Sequence, residues 1–307
     1  MGGDKNRRTI KTLFDRNLTV FVLFCLLTVV FADSNRLSIG TQIRNKDFLK
    51  PSHYADMVDF MMGKSRSAKI LKPYLAYYEE YERHAASSPD VLNMLGYCYY
   101  YLNRYQDAAD HYETVIRKHP AYFWPYYNLA ILYIKAEKYT EAVVLLEAAT
   151  VLNPEYTLQL SMKSKGVYIP IMLQMKFQYP DVRDRLKEAY QQSYIMLVLV
   201  HYRNGHYEKM LQSANFARLA NVGKEGLFLY YEGVASYYLR NYPQAVTLLQ
   251  ESVNKSPANK GAYHYLSLGF DALGMKTQSV DAKTKSQRSV GDDFLTFEDF
   301  QIEPGVF

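Results

Sequence analysis

Residues 89–122 read PDVLNMLGYCYYYLNRYQDAADHYETVIRKHPAY, and residues 123–156 read FWPYYNLAILYIKAEKYTEAVVLLEAATVLNPEY. The two stretches keep step. Leu92, Leu95, Gly96, Tyr99, Ala108, Tyr112 and Pro120 are each followed, 34 positions later, by Tyr126, Leu129, Ala130, Tyr133, Ala142, Leu146 and Pro154. Within one copy the spacing describes two short amphipathic helices, A and B, joined by a tight turn. Gly96, Ala108, Ala130 and Ala142 are small where the two helices must cross closely. Pro120 and Pro154 stop helix B, because a proline ring cannot continue the hydrogen-bond ladder. One such hairpin cannot bury its apolar stripe alone, so units must stack into a superhelix with a concave face.

The spacing resembles the tetratricopeptide (TPR) repeat, whose pattern runs W-x2-L-G-x2-Y, then A-x3-F, then P. Leu92 and Tyr126 stand for the tryptophan, and Tyr112 and Leu146 for the phenylalanine. The resemblance implies an all-α fold, a TPR-like helical-hairpin solenoid with a degenerate central repeat, and a groove that holds other proteins. In that family, helix A positions 2, 5, 9, 12 and 13 line the groove. Here they include Tyr97, Tyr100 and Tyr101 in the first unit and Trp124, Tyr127, Ile131 and Lys135 in the second. Later units add Tyr202, Arg203, Tyr230, Tyr237 and Tyr238. Tyr and Trp dominate binding hot spots because they are large, stiff and able to hydrogen bond. The same side chains could instead pack between helices. The family's charged clamp for chaperone C-termini is absent: Asn128 matches the common asparagine, while Asn93, Tyr97, Gln192 and Met196 fill the other slots.

Outward from this pair, residues 51–88 read as a helical hairpin capping the stack, with His53, Met57, Phe60 and Met61 on one stripe. Residues 33–50 read as a linker. Residues 157–190 lose the pattern, holding Ser164, Lys176 and Glu188 where small residues and proline belong. They also carry an apolar run, Val167–Met175, readable as core or as a protruding elbow. Pro180 looks like a breaker there. The frame resumes over 191–288, and Tyr105, Tyr139, Tyr207 and Tyr242 recur at the intra-unit turn. In the tail, 289–307, Phe294, Phe297, Phe300 and Phe307 alternate with acids. That pattern suits a docking peptide for a neighbour, or a strap folded over the chain's own last helix.

Residues 1–32 look like a signal peptide or signal anchor: a basic start, then an apolar run from Leu18 to Phe31 and a Val30-Phe31-Ala32 cleavage site. They predict a periplasmic or otherwise extracytoplasmic address, with membrane contact only if uncleaved. They also carry much of the formal charge of +5, so nucleic acid is not an expected partner. Cys25 falls in this segment, and Cys98 reads as a buried apolar filler. No catalytic constellation is found, so no enzyme, cofactor or metal is expected. His201 and His206, five apart, lack the company of further ligands, and Asn254-Lys255-Ser256 is a formal sequon followed by proline.

The composition is rich in aromatic residues, with 30 Tyr, 15 Phe and a single Trp in 307 residues. In overall layout the chain is similar to the flagellar-coiling sheath proteins of periplasmic flagella. That resemblance implies a structural subunit packing on a filament core and on copies of itself, which would set filament curvature and support motility. The alternative is a periplasmic or membrane-anchored adaptor for secretion, pilus or envelope machinery that captures one peptide. The residues expected to bind partners are Tyr97, Tyr100, Tyr101, Trp124, Tyr127, Tyr202, Tyr230, Tyr237, Tyr238, Phe294, Phe297 and Phe300.

Overall fold

The computed structural model describes residues 56–57, 59–61, 65, 67–85, 89–163, 179–289 and 291–306. The signal-like segment, the linker, the apolar run 167–175 and Phe307 lie outside the described residues. Within the described residues the chain is helical with no strand. After a 3-10 turn at Ala68–Ile70 come α1 (Leu71–Ala85), α2 (Pro89–Tyr101), α3 (Tyr105–Lys118), α4 (Phe123–Lys135), α5 (Tyr139–Val151) and α6 (Pro154–Lys163). Then follow α7 (Tyr179–Arg203), α8 (Tyr207–Leu219), α9 (Glu225–Tyr238), α10 (Tyr242–Lys255), α11 (Lys260–Ala272) and α12 (Lys276–Arg288). The tail is extended apart from a 3-10 turn at Phe297–Asp299. The fold is a TPR-like solenoid.

The A–B pairs are α2 with α3, α4 with α5, α7 with α8, α9 with α10 and α11 with α12, each packed on its neighbour in sequence. Their connections share one backbone solution. Asn103, Glu137, Gly205, Arg240 and Gly274 all take a left-handed conformation, with φ of 60°, 58°, 68°, 61° and 73°. At each, two amides turn back onto helix A, as Asn103 N donates to Tyr100 O and Arg104 N to Tyr99 O. The same pair of bonds recurs at Glu137 and Lys138, Gly205 and His206, Arg240 and Asn241, and Gly274 and Met275. This is a Schellman ending, which satisfies the last carbonyls of helix A and reverses the chain in three residues. The tyrosines at the turn then open helix B: Tyr105, Tyr139, Tyr207 and Tyr242 are the first residues of α3, α5, α8 and α10.

The crossing residues are small for the reason the spacing gave. A Cβ built on Gly96 would lie 2.4 Å from the Tyr112 ring, and one on Gly233 2.6 Å from Leu249 Cγ. Cys98 is a free thiol, fully buried, and burial pushes its pKa far up, so it serves as an apolar filler.

Two features depart from the sequence reading. Residues 181–203 hold neither glycine nor proline, so the boundary expected at 190/191 falls inside one continuous helix, α7. Pro180 stands in the first turn of α7, where its missing amide hydrogen costs nothing. Along α7, Met196, Leu197 and Val200 enter the core of the first half, and Ile195, Val198 and Leu199 enter that of the second. The helix thus bridges two apolar cores. The other departure is at the N-terminal end. There α1 packs on α2, but Phe60 sets its ring edge-on against Tyr101 at 4.9 Å and Tyr97 at 6.4 Å. The carbonyl of Met61 accepts from Arg185 of α7 at 2.8 Å. Phe60 and Met61 therefore lie on the concave side rather than closing the end of the stack.

Candidate functional site: a concave wall holding an extended chain

The tail runs along the inner wall, from α11 and α9 across α7 to α4 and α2, opposite in direction to the order of the repeats. Tyr230 Oη donates to Asp293 O at 2.7 Å and Tyr231 Oη to Phe294 O at 2.9 Å. Gln192 Nε2 reaches Gln301 O at 3.4 Å, and Tyr127 donates its hydroxyl proton to the amide oxygen of the same Gln192. At the far end two asparagines take hold of the main chain on both sides of one residue, Gly305. Gly305 O accepts from Asn128 Nδ2 at 2.7 Å and from Asn93 Nδ2 at 3.2 Å, while Gly305 N donates to Asn128 Oδ1 at 2.8 Å. The asparagines are also bonded to each other at 3.0 Å, and both are fully buried. A buried amide that satisfies both its donor and its acceptor sides this way is held in one orientation.

The wall reads mostly main chain: Tyr230, Tyr231, Gln192, Asn93 and Asn128 bond to tail carbonyls and one tail N–H. Side chains add packing. Phe297 stacks on Tyr139 at 6.2 Å, Phe294 meets Phe300 at 5.9 Å, and Lys224 Nζ lies 5.8 Å from the Phe300 ring centre. Glu303 accepts from Tyr101 Oη at 3.4 Å. Pro304 and Val306 are buried. Gly305 is pressed against Trp124, so that a Cβ there would stand 2.1 Å from the indole. Between tail and wall remains a cavity of about 310 Å³, lined among others by Met61, Tyr97, Trp124, Arg185 and Gln192. Trp124 Nε1 is buried without a hydrogen-bond partner.

The aromatic residues expected to bind partners fall into two sets. Trp124, Tyr127 and Tyr230, from the first two turns of their helices, form the wall under the tail. Tyr97 lines the cavity and Tyr101 touches Glu303. Tyr202, Tyr237 and Tyr238 instead build a ring ladder near the A–B turns, and Tyr100 packs on Tyr101 and Tyr105 at the turn of its own unit. Tyr207 stacks on Tyr238 at 4.3 Å, and the hydroxyls of Tyr202, Tyr238 and Tyr265 lie 3.1 to 3.4 Å apart. Lys135 caps the rings of Tyr100 and Tyr105 at 5.6 and 5.0 Å. Ile131 is buried and Arg203 exposed. Desolvation raises the Tyr230 and Tyr231 pKa values well above the ordinary tyrosine value, keeping both as neutral donors.

Two expectations change. The groove is not an open aromatic surface, because the chain's own tail fills it. Phe294, Phe297 and Phe300, expected to reach a neighbour or strap the last helix, are half-buried along the inner wall. The residues missed are Asn93, Gln192 and Tyr231, with Asn128 read only as a lone match to a charged clamp. Buried asparagines on successive A helices were the available signal. Among the described residues no group of three His, Cys, Asp or Glu side chains could hold a metal, and no helix is long and apolar enough to cross a membrane.

Residues 99–165 match the family model described as tetratricopeptide repeat. The tetratricopeptide repeat protein 30 homolog of Caenorhabditis briggsae is 25% identical over 225 residues, covering 71% of this chain and 31% of that protein. Intraflagellar transport protein 70B of Mus musculus is 28% identical over 221 residues, 69% of this chain and 31% of that protein. This chain therefore spans less than a third of either relative's length. Among solved structures, YrrB, a TPR protein with an unusual peptide-binding site, superposes with a TM-score of 0.50 at 12% identity. The match covers 71% of this chain and 94% of that one, and the likeness is one of fold.

Proposed function

We propose that the protein is a non-enzymatic scaffold that holds an extended segment of a partner protein along its concave wall. The observation that carries this reading is the grip of Asn93 and Asn128 on the main chain of one residue, Gly305, with Tyr230 and Tyr231 spaced along the same path. Such a wall holds extended backbone through main-chain bonds, and aromatic packing adds to the affinity. The relative named for intraflagellar transport supports a place in a multi-protein transport assembly. The exported address rests on residues 1–32, and the filament-sheath role on overall layout; neither gains support from the wall or from the relatives.

Chemical crosslinking in the cells that make the protein tests this. Crosslinks to subunits of such a transport assembly are expected, and Asn93→Ala with Asn128→Ala should remove them. Crosslinks confined to envelope or filament proteins would return the reading to an exported subunit. Crosslinks indifferent to the two asparagines would place the contact on another face.

A further inference from the structure

We infer that the tail is a built-in ligand that closes the groove, and that the partner it excludes is an extended aromatic segment with glycine where Gly305 stands. The inference rests on the scaffold reading above and adds which segment the wall accepts and what keeps it out.

The seat at Trp124 sets the glycine requirement. The two asparagines clamp both the N–H and the C=O of residue 305, which brings its Cα against the indole ring. A Cβ at 2.1 Å from a ring carbon cannot be accommodated where Trp124 is itself buried. Upstream, the wall asks for carbonyls at the positions of Asp293, Phe294 and Gln301, and for rings that reach Tyr139 and Lys224. An extended segment of either origin meets these demands.

Closure within one chain is favoured by connectivity. The tail leaves α12 with Ser289 N still bonded to Lys285 O, and Gly291 already lies against Ala258, just before α11. Such a tether holds the tail at an effective concentration on the order of millimolar. A ligand arriving from another molecule must outbid that local supply.

The tail also fits less than fully, which makes it displaceable. It leaves the cavity of about 310 Å³ beside Arg185 and Gln192, and it offers no acceptor to Trp124 Nε1. A partner segment carrying an acceptor there would gain a bond the tail does not make, because a buried donor without a partner is costly.

The test uses the full chain and a fluorescein-labelled peptide of residues 291–307. Trp124, the single tryptophan among 307 residues, reports on the tail through its accessibility to acrylamide. Gly305→Leu should expel the tail end without shortening the chain. Acrylamide quenching should rise, and the labelled peptide should bind at least tenfold more tightly than to the wild-type chain. Adding Asn93→Ala and Asn128→Ala should abolish the gain, and a peptide carrying Gly305→Leu should not bind. Wild-type chain binding the peptide as tightly as Gly305→Leu would sink the latch while leaving the scaffold reading intact. Raised quenching with no peptide binding to any variant would sink both. Unchanged quenching would show that the tail is not seated at Trp124. A wild-type dimer in sedimentation that Gly305→Leu turns to monomer would show tails exchanged between copies, and would overturn closure within one chain.

Discussion

His201 lies 1% exposed at the end of α7, and its Nδ1 has no hydrogen-bond partner. Burial first, then the positive charges of Lys209 and His206, lower its pKa from 6.5 to about 4. The unfolded chain takes up a proton on this residue near pH 6.5, and the native chain does not do so until about pH 4. Between those values the unfolded state holds more protons, so stability falls as the pH falls. The loss approaches ~1.4 kcal/mol per pH unit and totals about 3 kcal/mol by pH 4. Replacing the ring with one that cannot titrate removes this share. His201→Phe should therefore lose less stability than wild type between pH 7 and pH 4, measured by urea unfolding at each pH. Parallel losses in the two proteins would mean His201 is already charged in the native state. At the same scale, Asn128→Ala leaves the main chain of Gly305 and the amide of Asn93 short of partners, a cost of about 1–3 kcal/mol. Asn128→Asp should also destabilise, since a carboxylate cannot donate to Gly305 O. If thermal unfolding ranked Asn128→Asp with wild type, the donor side of the clamp would be idle.

At the scale of elements, the recurring left-handed turn separates backbone conformation from packing. Gly205 and Gly274 have φ of +68° and +73°, and a Cβ at either would meet nothing within 4 Å. Gly205→Ala and Gly274→Ala should each cost about 1 kcal/mol through backbone strain alone. Glu137 and Arg240 bear that strain in the native protein, so Glu137→Gly and Arg240→Gly should be neutral or stabilising by up to ~1 kcal/mol. Denaturant midpoints of the four variants check both signs. A stabilising Gly205→Ala would mean the turn is not left-handed in solution.

The same turn explains what could be read beforehand. Its period, together with Gly96, Ala108, Ala130 and Ala142 at the crossings, makes α2 to α5 legible from spacing. The ring ladder around Tyr105, Tyr207 and Tyr242 follows from that frame too. The continuity of α7 was hidden because helix A signals stop over 157–190, although glycine and proline are absent from 181 to 203. The path of the tail was hidden for a different reason. Asn93, Asn128, Tyr230 and Tyr231 bond to main-chain atoms, and main-chain recognition leaves no complementary side-chain pattern in the tail. Asn93 and Asn128 are moreover 35 apart, one residue off the period, so a fixed frame does not align them.

At the scale of the whole molecule, a solenoid is coupled only through adjacent units, and its stability is close to a sum of unit and neighbour terms. The tail breaks that rule. It touches the start of α11, then α9, α7, α4 and α2, so one segment bonds to units from one end of the stack to the other. Together with α7, which enters both apolar cores, it should make the two halves unfold as one. Removing it exposes the hydroxyls and amides of the wall to water, which replaces most of their bonds, so the loss is moderate. A net docking energy of ~2 kcal/mol corresponds to a shift of about 4–8 °C in midpoint for a chain of this class. A chain ending at Arg288 should therefore keep its helical circular dichroism, melt several degrees lower, and unfold in urea with a smaller slope as cooperativity between halves weakens. A truncated chain with unchanged midpoint and slope would show that the tail lies on the wall without tying the units, and that α7 alone couples the two cores.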